Sequence, residues 1–298
     1  MKKPLFAKIA AALLLMPLAP TGDSVFQAPI HLTSAHAAPS STLPGTVKQF
    51  TQPATAPGQR DFSGSIQSPV SWLIAEDQCT ETYDAHGKKL FYGSYPTLRP
   101  ASGAPTQLAR ALDTWNKRMA KEFENSSAPV RSSIDEARRN GQDVFGAPHF
   151  DVVAINAWGR VDKQMISCFL EGASYSGGAH PIPTADALNL DAATGREIAL
   201  DEIVTNRTLL IAAIEAAFQT QYPAAVERDF PRGVMEALLM QHPSEKGLSS
   251  FCWYMAADGS LVIYYPDSVL ASYAAGAFTL TIARQDAPRL FTAAYPME

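Results

Sequence analysis

Apolar residues change their spacing along this chain, and the changes mark its elements. Leu108, Leu112, Trp115, Met119 and Phe123 recur at steps of four, three, four and four, which places all five on one side of a helix. Arg110, Asp113, Lys117, Arg118 and Lys121 fall on the opposite side. Burying five such side chains contributes roughly 8–15 kcal/mol gross, at about 1.5–3 each, so the stripe is read as core against a sheet. Thr205 or Asn206 can cap a second helix whose apolar face is Leu209, Leu210, Ala213, Ile214, Ala217 and Phe218, with Pro223 ending it. Pro231 opens a shorter one through Val234, Leu238 and Leu239.

Between the helices the apolar runs are short and separated by turn residues. Strands are expected at 70–74 and 89–92 around the turn 84–87, and at 150–155 and 165–170 around Trp158-Gly159-Arg160. Residues 187–190 and 197–200 predict a hairpin with Gly195 in the left-handed position. Residues 251–255 and 261–265 predict another about Asp258-Gly259, followed by a helical turn from Asp267 to Gly276 and a closing strand at 277–282. Strand pairs interleaved with helices indicate an α+β fold, antiparallel sheets packed against a few amphipathic helices.

The amino-terminal 37 residues have a different character. Lys2, Lys3 and Lys8 precede and enter an apolar run from Ile9 to Leu18, well short of the roughly 20 residues needed to span a bilayer. Ala35-His36-Ala37 supplies a small-residue cleavage site, so residues 1–37 are expected to be a secretory signal cut after Ala37, leaving a periplasmic or secreted chain without a transmembrane segment. Residues 38–66, rich in Pro, Ser, Thr and Gly, read as a solvated tether. Of 24 basic and 29 acidic side chains, the first 37 residues hold three lysines and one aspartate, so the remaining 261 residues carry a net charge of −7. That acidity argues against a nucleic-acid partner and suits a cationic one. Cys79, Cys168 and Cys252 are an odd set for an exported protein, compatible with one disulfide and a spare thiol or with buried free thiols.

The candidate chemistry gathers at Tyr175-Ser176-Gly177-Gly178-Ala179-His180. Consecutive glycines permit positive φ or close backbone approach, which would let Tyr175 and His180 converge on a ligand, or simply make a tight strand exit. This motif is followed in order by Leu188-Asn189-Leu190-Asp191 with Thr194-Gly195-Arg196-Glu197, Leu200-Asp201-Glu202-Ile203, Asp258-Gly259-Ser260-Leu261-Val262 and Tyr273-Ala274-Ala275-Gly276. In that order and spacing the chain resembles the extracytoplasmic domain shared by RsiV-type anti-sigma factors and PdaC-type peptidoglycan deacetylases, a PdaC-like half at 67–183 and an RsiV-like half at 184–285, with 286–298 left as a tail. It departs from that pattern at Pro181, where a glycine is usual, and at Asp267-Ser268, where a tyrosine-glutamate pair is common.

The resemblance implies a bacterial surface or periplasmic module and, in the anti-sigma examples, binding of lysozyme. With the expected export signal and the acidic chain, it leads to the expectation of a noncatalytic binding module of the envelope, with a cationic lysozyme-like protein or a peptidoglycan fragment as ligand and Tyr175, Gly177, Gly178, His180 and Tyr273 at the contact surface. The alternative is a small envelope hydrolase with His180 as acid or base. Ser176 or Ser167 could be drawn with His180 and Asp191 as a triad, yet neither serine has the glycine pattern of a nucleophile elbow. No cofactor is expected, and His86, His149, His180 and His242 lack the spacing of a zinc site. Trp253, Tyr254, Tyr264, Tyr265 and Tyr273 form a further aromatic set, half of it expected to be core and the rest able to stack on sugars.

Overall fold

A computed structural model describes residues 64–144, 148–177 and 180–297. The expected signal segment and nearly all of the tether lie outside the described residues. Strands β1 (Leu73–Tyr83), β2 (Lys89–Pro100), β3 (His149–Val161), β4 (Met165–Tyr175) and β5 (Ile182–Asp191) form one sheet in that order. Every neighbouring pair is antiparallel except β2 and β3, which are parallel because helix α1 (Thr106–Arg139) carries the chain back across the sheet between them. Their register covers Phe91 to Ser94 against His149 to Val152. Further along β2, Asn116 of α1 takes the role of a neighbouring strand, accepting from the Leu98 N–H and donating to its carbonyl, both at 2.8 Å.

The second sheet is antiparallel and has the order β6 (Cys252–Met255), β7 (Leu261–Tyr265), β8 (Phe278–Ile282). Alternation along each strand sorts the side chains into layers. Ile166, Cys168 and Leu170 of β4 pack with Leu108, Leu112, Trp115 and Met119 beneath α1. Phe169 points the other way, onto Tyr254, Val262 and Tyr264 of the second sheet. That sheet's outer face, with Trp253, Met255, Ile263, Phe278 and Leu280, packs under α3 (Arg207–Gln221) and α5 (Val234–Gln241). The order is helix, sheet, sheet, helices, and β7 is apolar at successive positions because both of its faces are covered. Polar groups also tie the sheets together. The Ser167 hydroxyl accepts from the Met255 N–H at 2.8 Å and donates to Asn189, whose amide donates to the Trp253 carbonyl at 2.9 Å.

Several sequence expectations need correction. Trp158-Gly159-Arg160 is inside β3, not a turn: the chain reverses at 162–164, where the Asp162 carboxylate accepts from the N–H groups of Gln164 and Met165. Gly159 marks close contact between sheets instead, since an added Cβ there would collide with the Met255 carbonyl oxygen. Gly195 does adopt φ +70°, but the expected second strand of its hairpin is a single bridge, Leu190 to Glu197, before the short helix α2 (Leu200–Ile203). Asn206, not Thr205, caps α3, accepting from the Leu209 N–H at 2.8 Å. Pro223 begins α4 (Pro223–Asp229), and α5 starts after Gly233 (φ +88°), beyond Pro231. The turn expected from Asp267 reduces to a 3-10 turn at Tyr273–Ala275, ended by Gly276 at φ +80°.

Both flanks of the expected family domain are attached to it. Ser65 hydrogen-bonds the Asp77 carboxylate through its backbone and side chain, and the Ile66 N–H donates to the Ile155 carbonyl at 3.0 Å. Residues 286–297, set apart above as a tail, bury Leu290 and Phe291, and Phe291 bridges Val204. Arg160, only 2% exposed, donates to the carbonyls of Tyr295 and Pro296 at 2.7 and 2.9 Å. The three cysteines are free thiols, Cys79 exposed, Cys252 half-buried and Cys168 buried, where desolvation pushes its thiol up to about 12.

Candidate functional site at the turn after β4

Tyr175 is the last residue of β4, opposite Phe150 of β3, and its ring packs against those of Phe150 and His149 at centroid distances of 5.7 and 6.4 Å. Two residues on, Gly177 adopts φ +105°, with nothing within 4 Å of where a Cβ would stand. Its backbone conformation, not crowding, therefore calls for glycine. Gly178 lies outside the described residues. His180 is exposed, its Nδ1 3.2 Å from the Pro181 carbonyl, and its ring stacks on Tyr273 at 4.3 Å and 17°. Two of the residues singled out from sequence, distant along the chain, thus meet face to face, while Tyr175 stacks on the first two residues of β3.

The drawn triad does not assemble. Ser167 is buried and its hydroxyl serves the contact between sheets. Asp191 ends β5 and accepts from Thr194 and Tyr295, whereas His180 precedes that strand's start, roughly 30 Å away at about 3.3 Å per residue. The aromatic set is corrected as well: Trp253, Tyr254, Tyr264 and Tyr265 are all buried between layers, so of the five only Tyr273 reaches the surface. Among the described residues no group of three or more His, Cys, Asp or Glu is arranged to hold a metal ion. No helix among them is long and apolar enough to cross a membrane.

Other features were not found from sequence. A recess of about 450 Å³ opens beside the turn, between the second half of α1 and the ends of β3 and β4. Val130, Ile134 and Val144 give it an aliphatic wall, and Ser133, Asp143, His149 and Ser176 give it polar groups. The signal was a continuation of the α1 stripe through Ser127, Val130 and Ile134, hidden because position 127 is a serine and Pro129 interrupts the helix pattern. Beneath the same stretch the Ser126 hydroxyl bonds Asp151, whose carboxyl is pushed above its usual value by burial.

His242 is 1% exposed and stacked on Phe251 at 3.7 Å, with Nδ1 2.8 Å from the Ser250 hydroxyl and Nε2 3.0 Å from the Tyr265 hydroxyl. Burial, with Arg207 and Lys246 nearby, lowers it to about 4, so at neutral pH it is an uncharged structural ring and a weak base toward Ser250. On β5, burial raises Asp186 to about 6, against the opposing effects of the Ala187 N–H and Arg118.

No family model matches the chain, and no curated protein matches it. Among solved structures, a DUF3298-family protein from Pseudomonas aeruginosa PAO1 is 15% identical and aligns over 74% of this chain and 95% of its own, with a TM-score of 0.48. A member of the DUF3298 family from Bacteroides fragilis NCTC 9343 is 14% identical and aligns over 74% of this chain and 93% of its own, with a TM-score of 0.55. With its α+β layers and two mostly antiparallel sheets, this chain has the fold of that Bacteroides DUF3298 protein.

Proposed function

We propose that the chain is an exported, noncatalytic binding module of the bacterial cell envelope, of the RsiV/PdaC-like kind, that recognises a cationic lysozyme-like protein or a peptidoglycan fragment through the turn after β4. The observation that carries this reading is the stack of the exposed His180, three residues beyond Gly177, on the half-buried Tyr273; at Gly177 an added Cβ would meet nothing within 4 Å. Rings held parallel at a surface lose little entropy on binding, and such preorganised aromatic groups form the anchors of interfaces and sugar sites. The ordered motifs, the signal-like pattern of residues 1–37 and the net charge of −7 after residue 37 support the same reading.

Titrating the exported chain with lysozymes and with muropeptides tests it. Saturable binding at micromolar concentration is expected for one of them, and His180→Ala and Tyr273→Ala should each weaken it about tenfold, equivalent to about 1.4 kcal/mol, with the melting temperature unchanged. Failure of every probe at high micromolar concentration overturns the reading.

A further inference from the structure

The recess beside the turn carries an inference about which part of a ligand enters it; it rests on the envelope-binding reading above. At about 450 Å³ it falls within the range of roughly 300–1,000 Å³ typical of small-molecule sites. Its accessible wall is aliphatic, from the half-buried Val130 and Val144 over the buried Ile134, and among its described lining residues no Phe, Tyr or Trp ring offers a face to a sugar. Hydroxyls of Ser133 and Ser176, both on exposed residues, can hydrogen-bond a peptide backbone. Asp143 is exposed, forms no ion pair with a described basic side chain, and provides a carboxylate for an amine. Aliphatic wall, hydrogen-bonding edge and one carboxylate together match a short peptide with methyl side chains and a free amino group.

We propose that this recess takes the peptide part of a peptidoglycan fragment, alanine methyls against Val130 and Val144 and the amine of the diamino acid at Asp143, leaving the sugar to the His180–Tyr273 stack. Ser176 lines the recess and is four residues from His180, so the two contacts lie at most about 14 Å apart along the chain at that point, a span one sugar-peptide unit covers.

Calorimetric titration of the full exported chain tests this with two probes: a free alanyl-glutamyl-diaminoacyl-alanine peptide, and the peptide-free N-acetylglucosamine–N-acetylmuramic acid disaccharide. The peptide should bind on its own. Ala137→Trp, which fills the recess from a half-exposed helix position, and Asp143→Asn should each lower its affinity at least tenfold without changing the melting temperature. Wild-type peptide affinity in both Ala137→Trp and Asp143→Asn, or binding of the disaccharide but not the peptide, overturns the proposal. If lysozyme or whole muropeptide still binds in those cases, the envelope-binding reading survives the loss of the recess; if no probe and no lysozyme binds the wild type, both fall.

Discussion

At the scale of single residues, glycines with different constraints should respond differently to the same substitution. Gly159→Ala forces a methyl into the Met255 carbonyl and must part the sheets, so a loss of about 3 kcal/mol is expected in denaturant unfolding. Gly177→Ala meets open space and bears only the strain of φ +105°, about 1 kcal/mol. Equal losses at both would contradict the contact between sheets. Gly195 was legible from sequence because a turn flanked by polar residues announces positive φ. Gly159 was misread because a glycine inside an apolar run looks the same whether it turns the chain or admits a neighbour.

His242 and Asp186 act on stability in opposite directions. His242 falls from 6.5 to about 4 on folding, so its share of stability is complete above pH 6.5 and is lost as pH falls toward 4. Asp186 rises from 3.8 to about 6, so its share is complete below pH 3.8 and is lost as pH rises through 6. Asp186→Asn removes the second effect and retains an acceptor for the Ala187 N–H. Relative to wild type, the variant should therefore gain about 1–2 kcal/mol between pH 4 and pH 7, after discounting for the partial exposure of the residue. Unfolding free energies at the two pH values measure it, and a pH-independent difference would contradict the buried carboxyl.

At the scale of elements, α1 shows what periodicity reveals and what it hides. Its first half was legible because five large apolar residues mark one face. Its second half was not, because Ser127 is buried without being apolar and Pro129 signals an ending that the packing of Val130 and Ile134 on Phe91 overrides. Asn116 was equally invisible, since nothing local distinguishes an amide on the flank of a helix from one that completes a strand's hydrogen bonds. Asn116→Ala leaves the Leu98 N–H and carbonyl without these partners and should cost about 1–3 kcal/mol, read as a lower denaturant midpoint at unchanged slope. A neutral result would mean that water replaces the amide.

At the scale of the whole molecule, the α+β class followed from alternating strand and helix patterns, but the layering did not. The parallel pairing of β2 with β3 depends on where a long helix sets the chain down, and the face-to-face sheets depend on contacts such as Ser167 to Met255, which join residues 88 positions apart. The candidate site was legible in part for a related reason. The sequence motif named His180 and Tyr273 without their contact, and it gave no sign that Tyr175 would stack on His149 and Phe150 beside a recess. Arg160 likewise became a clamp on the carboxy-terminal segment only once that segment had folded back.

The central claim is that the turn after β4, with its His180–Tyr273 stack, is a recognition surface for an envelope ligand. The most direct measurement is a side-by-side titration of wild type and the His180→Ala/Tyr273→Ala double variant with whichever lysozyme or muropeptide binds the wild type, with unfolding curves recorded for both proteins. Affinity lost by tenfold or more with unchanged unfolding is the predicted result; wild-type affinity in a correctly folded double variant would contradict it.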